Sequence, residues 1–126
     1  MRISFTAYKA GFDDEFALVG GVIGIDSQNE EHYLTFQTDL PDTEDPDDLG
    51  IYLEFDDQGC GGYDCVDKCS IERESIKVDL KKQLGGLQNI TGFDIILKID
   101  DKSFIELSNF LKIVFKERLD DLKFVT

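Results

Sequence analysis

Between Ala10 and Asp67 the chain has no lysine and no arginine, although seventeen Asp and Glu fall within those 58 residues. Residues 68–126 hold ten acids against eleven bases, so the formal charge of −14 is concentrated in the first half. Charge segregated in this way makes a directional field. It draws in basic partners and repels nucleic acid, acidic membranes and anionic substrates, so neither nucleic acid nor membrane is expected as a partner. Other absences narrow the class further. Tryptophan is missing, and histidine and methionine occur once each. No apolar run approaches the ~18 residues of a membrane span, and the opening "MRISFTAYKAG" lacks the apolar centre of a signal peptide, so a cytoplasmic protein is expected. The cysteines Cys60, Cys65 and Cys69 are odd in number, which fits free thiols in a reducing compartment better than a disulfide framework.

What is present suits a single domain over residues 1–126, which on folding should bury roughly two-thirds of its unfolded surface. A hydrophobic content of 41% with ten phenylalanines argues against disorder. Short runs with period-two alternation dominate. They place Ile3, Phe5 and Ala7 on one face, then Leu34 with Phe36, and then Ile51, Leu53 and Phe55. The pattern returns with Ile76, Val78 and Leu80 and with Phe93, Ile95, Leu97 and Ile99. Each reads as a strand of an antiparallel sheet packed on one side. "FALVGGVIGI", residues 16–25, is more continuously apolar, and its glycines predict a bulge or a close backbone approach.

One segment has helical spacing. Phe104, Leu107, Leu111 and Val114 recur along "DDKSFIELSNFLKIVFKERL", with Ile105, Phe110 and Phe115 expected to widen the stripe. Asp100, Asp101 or Ser103 can cap its start, and Lys112, Lys116 and Arg118 complement its C-terminal dipole. "KKQLGG" predicts a single helical turn closed by Gly85. The expected fold class is α+β: a mostly antiparallel sheet of about six or seven strands against one long C-terminal helix. "DLPDTEDPDD", residues 39–48, holds six acids and both prolines, and is expected to be an exposed loop between the third and fourth strands.

Chemistry finds little support. An EF-hand frame begun at Asp45 puts Leu49 at its fifth position, and one begun at Asp56 puts Cys60 there; neither is flanked by two helices. The cysteines with His32 could make a Cys₃His set, but in a strand Cys65 and Cys69 stand roughly 13 Å apart. Two thiolates on one zinc lie about 2.3 Å from the metal, so these cysteines read as small buried hydrophobes. His32 falls in the polar turn-like run "QNEEHY", away from any recognisable nucleophile. Cys60 lies among acids, which raise a thiol's pKa rather than lowering it. No phosphate-cradling glycine loop is present. No catalytic, cofactor or metal residue is assigned, and a non-enzyme is expected.

"EFDDQGCGGYDC", residues 54–65, therefore reads as geometry: a strand ending at Phe55, an acidic corner, a glycine-rich turn and Tyr63 entering the next strand. Gly59, Gly61 and Gly62 are free to take positive φ, and Tyr63 offers a large contact face with a polar tip. A wide turn with no further role and a binding surface both fit this pattern. The binding reading names Asp56, Asp57 and Tyr63, together with Asp42, Glu44, Asp45, Asp47 and Asp48 of the acidic stretch.

The order of "EHYLTFQ", "IYLEFDDQGCGGYDCVDKCSIERESIKVDL" and "FDIILKIDDKSFIELSNFLKIVF" resembles the immunity protein 10 family of bacterial polymorphic toxin systems, over roughly residues 16–116. The most telling part is "DDQGCGGYDCV" followed by "SIERESIKVDL". There the family carries an acid–Gln turn, a Gly-Tyr-Gly type corner and an Arg-Asp-like hairpin. This chain departs from the pattern where Glu74 and Ser75 follow Arg73, and where Asp64–Cys65 replaces the second glycine region. The resemblance implies an antidote that binds the toxin domain encoded beside it, and it transfers no contact residue. A toxin that is a nuclease would present a basic surface suited to an acidic inhibitor. The residues alone leave two alternatives open, a calcium- or ligand-binding β-rich module using the acids of residues 39–57 and a purely structural interaction domain, and a homodimer through an exposed sheet edge is compatible with each reading.

Overall fold

A computed structural model describes residues 1–13, 18–38 and 50–125. Asp42, Glu44, Asp45, Asp47 and Asp48, and with them the loop expected over residues 39–48, lie outside the described residues. The strands are β1 Arg2–Asp13, β2 Leu18–Ile25, β3 Glu31–Thr38, β4 Tyr52–Phe55, β5 Gly61–Tyr63, β6 Val66–Glu72, β7 Ser75–Leu80, β8 Gly92–Leu97 and β9 Leu122–Phe124. The helix α1, Asp101–Val114, precedes β9. All nine strands join in one sheet ordered β5-β4-β3-β2-β1-β8-β7-β6-β9. Pairing is antiparallel except between β1 and β8 and between β6 and β9. The α+β class is as expected. The strand count is higher because β5 and β9 have three residues each, too few to show alternation.

The sheet cannot be flat. β5 and β6 are joined by Asp64 and Cys65 alone, yet they stand seven places apart in the sheet order. At ~4.8 Å per strand that separation would be roughly 34 Å. The linking backbone reaches only ~11 Å. The sheet therefore curls until its two ends approach. The rings of Phe55 on β4 and Phe93 on β8 confirm the curl by meeting at 5.2 Å across the concave side.

The concave side is the core. Phe5, Leu34, Phe36, Leu53, Phe55, Ile76, Val78, Phe93 and Ile95 are all buried there, while Ile3 and Leu80 at the margins are half-buried. Cys65 and Cys69 are buried, as expected of small hydrophobes. The helix packs on this side against β1, β2 and β3. Asp100 caps it by accepting the Ser103 N–H at 2.7 Å. It buries Leu107, Phe110, Leu111 and Val114, and Phe115 just beyond it meets Phe36 edge-on at 6.3 Å. Ile105 does not widen this stripe: it stands two residues before Leu107, on the opposite side of the helix, and is 58% exposed.

Close approach explains the glycines of β2: a Cβ at Gly21 would collide with Leu34 O and one at Gly24 with Thr6 O. A Cβ at Gly20 would sit 2.7 Å from Phe12 Cβ and 3.0 Å from the Phe110 ring. The bulge lies in the partner strand, where Tyr8 is inserted between the pairs Ala7↔Gly24 and Lys9↔Ile23. "KKQLGG" forms no helical turn. The Lys81 N–H is taken by Cys65 O and the Gly85 N–H by Gly61 O, so these donors bind the β5–β6 link and the start of β5 instead. Leu84 is buried, and a turn closes from Leu84 to Leu87 with Gly86 at φ 75°.

Candidate functional site

The sheet order turns the segregated charge of the sequence into a segregated surface. β2, β3, β4 and β5 are consecutive in the sheet and carry no Lys or Arg. Beyond Arg2 and Lys9 on β1, every Lys and Arg belongs to residues 68–126, which build most of β6 and all of β7, β8, α1 and β9.

Within the acidic half, His32 is the first departure from expectation. It lies in β3 rather than in a turn, because it shares the inward parity of Leu34 and Phe36. Its ring stacks on Phe55 at 5.3 Å and tilts against Phe5 at 5.8 Å. Its Nδ1 meets Asp56 Oδ2 and its Nε2 meets Asp26 Oδ2, each at 2.7 Å. Burial works against the charged ring, but the hydrogen bonds to Asp26 and Asp56 outweigh it and hold the imidazole pKa above its ordinary value. The bond to His32, with backbone donors from Glu30 and Gln28, holds Asp26 below the usual carboxylate range. Asp26, Glu30 and His32 bring donor atoms within 4.8 Å of one another. With a carboxylate oxygen 2.7 Å from each ring nitrogen, the imidazole bridges Asp26 and Asp56 as a clamp.

Asp56 completes that clamp. It takes φ 66°, its second oxygen accepts the Tyr33 N–H at 3.0 Å, and it thereby ties the end of β4 to β3. The positive-φ positions of the connection are thus Asp56 and Asp64 (φ 57°), not the glycines Gly59, Gly61 and Gly62. Aspartate tolerates this region because its short side chain hydrogen-bonds locally. The glycines serve space instead. Gly61 faces Glu54 across β4–β5, and a Cβ there would collide with the Tyr52 hydroxyl. Asp57 is exposed and caps the 3₁₀ turn Gln58–Cys60 by accepting the Gly59 N–H at 2.7 Å. Burial first, then the charges of Asp57 and Asp56, push the Cys60 thiol up.

Tyr63 is 46% exposed and sits 5.0 Å from the Tyr52 ring, across the hairpin expected from the sequence. Three further residues here were not singled out from the sequence. The hydroxyls of Tyr33 and Tyr52 donate to the two oxygens of Glu54, to Oε2 and Oε1 respectively, the latter at 2.8 Å. Burial, then the adjacent Glu54, push Tyr52 up to about 12, and the same causes raise Tyr33 above the ordinary tyrosine range. Both phenols therefore remain donors at neutral pH. The signal was present in the outward parity of β3 and β4, where Tyr33, Tyr52 and Glu54 alternate with core residues.

The convex face also carries a groove of about 680 Å³ where β1 meets β8, lined by Thr6, Tyr8, Ile25, Asp26, Lys77 and Ile96. Tyr8 and Ile96 are 50% and 52% exposed along it. No helix among the described residues is long and apolar enough to cross a membrane.

No curated protein and no solved structure matches the chain. A family model described as Immunity protein 10 matches residues 3–105, from β1 into α1, and so includes the clamp, the tyrosine-framed carboxylate and the whole of residues 54–65. The chain belongs to the immunity protein 10 family.

Proposed function

We propose that the protein binds the toxin domain encoded beside it and neutralises it by covering its working surface, without making or breaking bonds. Membership of an immunity family supports the antidote role and a toxin partner. The observation that carries the mode of action is the run β2–β5, four adjacent strands without a lysine or arginine. A surface of this kind associates quickly with a cationic one and leaves less freedom to wrong partners. The partner is a basic toxin domain; a nuclease, whose substrate groove is cationic, is the class that fits best. The contact surface takes in the acidic stretch with Asp42, Glu44, Asp45, Asp47 and Asp48, and the exposed corner of Asp57 and Tyr63. Asp56 contributes through the clamp that fixes this corner. The protein works in the cytoplasm of the cell that makes the toxin.

Co-expression tests this reading. The neighbouring toxin gene alone should kill or arrest a host cell, the pair should let it grow, and the two proteins should co-purify. Growth arrest that persists in the presence of this protein, with no co-purification, would remove the antidote reading.

A further inference from the structure

We propose that Glu54, held by Tyr33 and Tyr52 with Tyr63 next to Tyr52, is a receptor for an arginine side chain of the toxin. The inference rests on the toxin-binding reading above and adds a site and a ligand chemistry to it.

Half-buried aspartates elsewhere in the described structure each face a cation. Asp79 and Asp94 share Arg2 at 2.8 Å, Asp121 pairs with Arg118 at 2.9 Å, and Asp26 and Asp56 share His32. Glu54 differs. Its side chain is half-buried and fixed at both oxygens, and no Lys or Arg of the described residues pairs with it. Two neutral phenols orient the carboxylate without neutralising it. Each oxygen accepts one phenol hydrogen and retains a lone pair, which matches the two parallel N–H groups of a guanidinium.

The surroundings favour arginine over lysine. Tyr52 stands beside the carboxylate, and Tyr63, 46% exposed, lies next to Tyr52 with the two rings 5.0 Å apart and inclined by 54°. A planar guanidinium can stack on such a ring while it pairs with the acid, which an ammonium cannot do as well. The residue paired with Glu54 on β5 is Gly61, and the space a Cβ would take there is filled by the Tyr52 hydroxyl, which is thereby held against the carboxylate. This gives the glycines and the tyrosine of "EFDDQGCGGYDC" a common purpose. Gly61 makes room for the Tyr52 hydroxyl, and the 3₁₀ turn brings the chain back so that Tyr63 lies beside Tyr52.

The test uses the whole protein. There is no tryptophan and three of the four tyrosines belong to this frame, so tyrosine fluorescence and the assigned tyrosine NMR signals report on it. N-acetyl-arginine amide at millimolar concentration should shift the Tyr52, Tyr63 and Glu54 signals saturably. N-acetyl-lysine amide should shift them several-fold less, and Glu54→Gln should abolish the response. Against the neighbouring toxin domain, Glu54→Gln should weaken binding about thirtyfold or more, mainly through faster dissociation. Tyr63→Ala, an exposed change that spares the core, should weaken it about tenfold. Unchanged melting temperatures would show that both variants remain folded. Equal shifts from the two amides, or none at these residues, overturn the arginine site. If the wild-type chain holds the toxin and both variants hold it equally well, the site falls while the antidote reading stands. Should the wild-type chain not hold the toxin at all, both fall.

Discussion

His32 Nε2 lies 2.7 Å from Asp26 Oδ2, so the start of β3 is tied to the turn that precedes it by a charge-assisted hydrogen bond. The imidazole pKa stands above its ordinary 6.5 in the folded chain. Its contribution to stability is therefore complete below that ordinary value and is lost as pH rises through the folded one. Asp26 stands below its ordinary 3.8, so its contribution is complete above that value and is lost as pH falls through the folded one. The two windows overlap between those ordinary values, where the clamp is at full strength. Denaturant midpoints followed from about pH 5 to about pH 9 should fall on the alkaline side. His32→Gln should cost about 1–2 kcal/mol near pH 6 and flatten that fall. A variant with the wild-type pH slope would remove the clamp from the account.

The helix offers a test of which face is buried. Leu111 is fully buried on the concave side of the sheet, and Ile105 is 58% exposed. Leu111→Ala should destabilise the protein by about 3 kcal/mol. Ile105→Ala should stay within about 0.5 kcal/mol of wild type. Chemical denaturation of both variants checks the pair, and similar losses would contradict the helix orientation.

Gly20 tests the close approach between β1, β2 and α1. A methyl group there would press on Phe12 Cβ at 2.7 Å and Gly11 O at 2.8 Å, neither of which is the end of a flexible side chain. Gly20→Ala should cost about 1–3 kcal/mol and lower the melting temperature accordingly. A variant that melts with the wild type would mean that β1 and the helix can shift apart without loss.

The parts of this fold that sequence reading anticipates are those governed by local periodicity. Ile76 and Val78, or Phe93 and Ile95, declare their strands because each alternates with polar residues, and Leu107, Leu111 and Val114 declare the helix in the same way. What local periodicity does not carry is pairing between distant segments. The parallel contact of β1 with β8 joins residues about ninety positions apart, and the curl of the sheet follows from strand order. "KKQLGG" misleads for a related reason: its helical composition is overruled by hydrogen bonds to Cys65 and Gly61.

The candidate site was legible in outline only. The acidic corner, the hairpin and Tyr63 follow from residues 54–65. Glycine content suggested that the glycines hold the left-handed positions, yet Asp56 and Asp64 hold them, since aspartate is also tolerated there. His32 reads as a turn residue because Asn29, Glu30 and Glu31 precede it. Only its parity with Leu34 places it on the inward face. Glu54 is hidden among twenty-seven acids until its two tyrosines are seen to converge on it.

Steering and anchoring make separable predictions, because long-range charge acts on the encounter and a fixed contact acts on the bound state. Changing Asp42, Glu44, Asp45, Asp47 and Asp48 to Lys replaces five negative charges with five positive ones in residues 10–67, a stretch with no lysine or arginine. Association with the neighbouring toxin domain at low salt should slow by about tenfold or more. The difference from wild type should shrink as salt rises, since at about 1 M the screening length is only ~3 Å. Dissociation should change far less than in Glu54→Gln. Stopped-flow association rates across a salt series, with dissociation rates measured in parallel, give both numbers for both variants. An unchanged association rate in the five-fold variant would take the acidic stretch out of the encounter. The acids of strands β2–β5 and of the turns that join β2 to β3 and β4 to β5 would then supply the field.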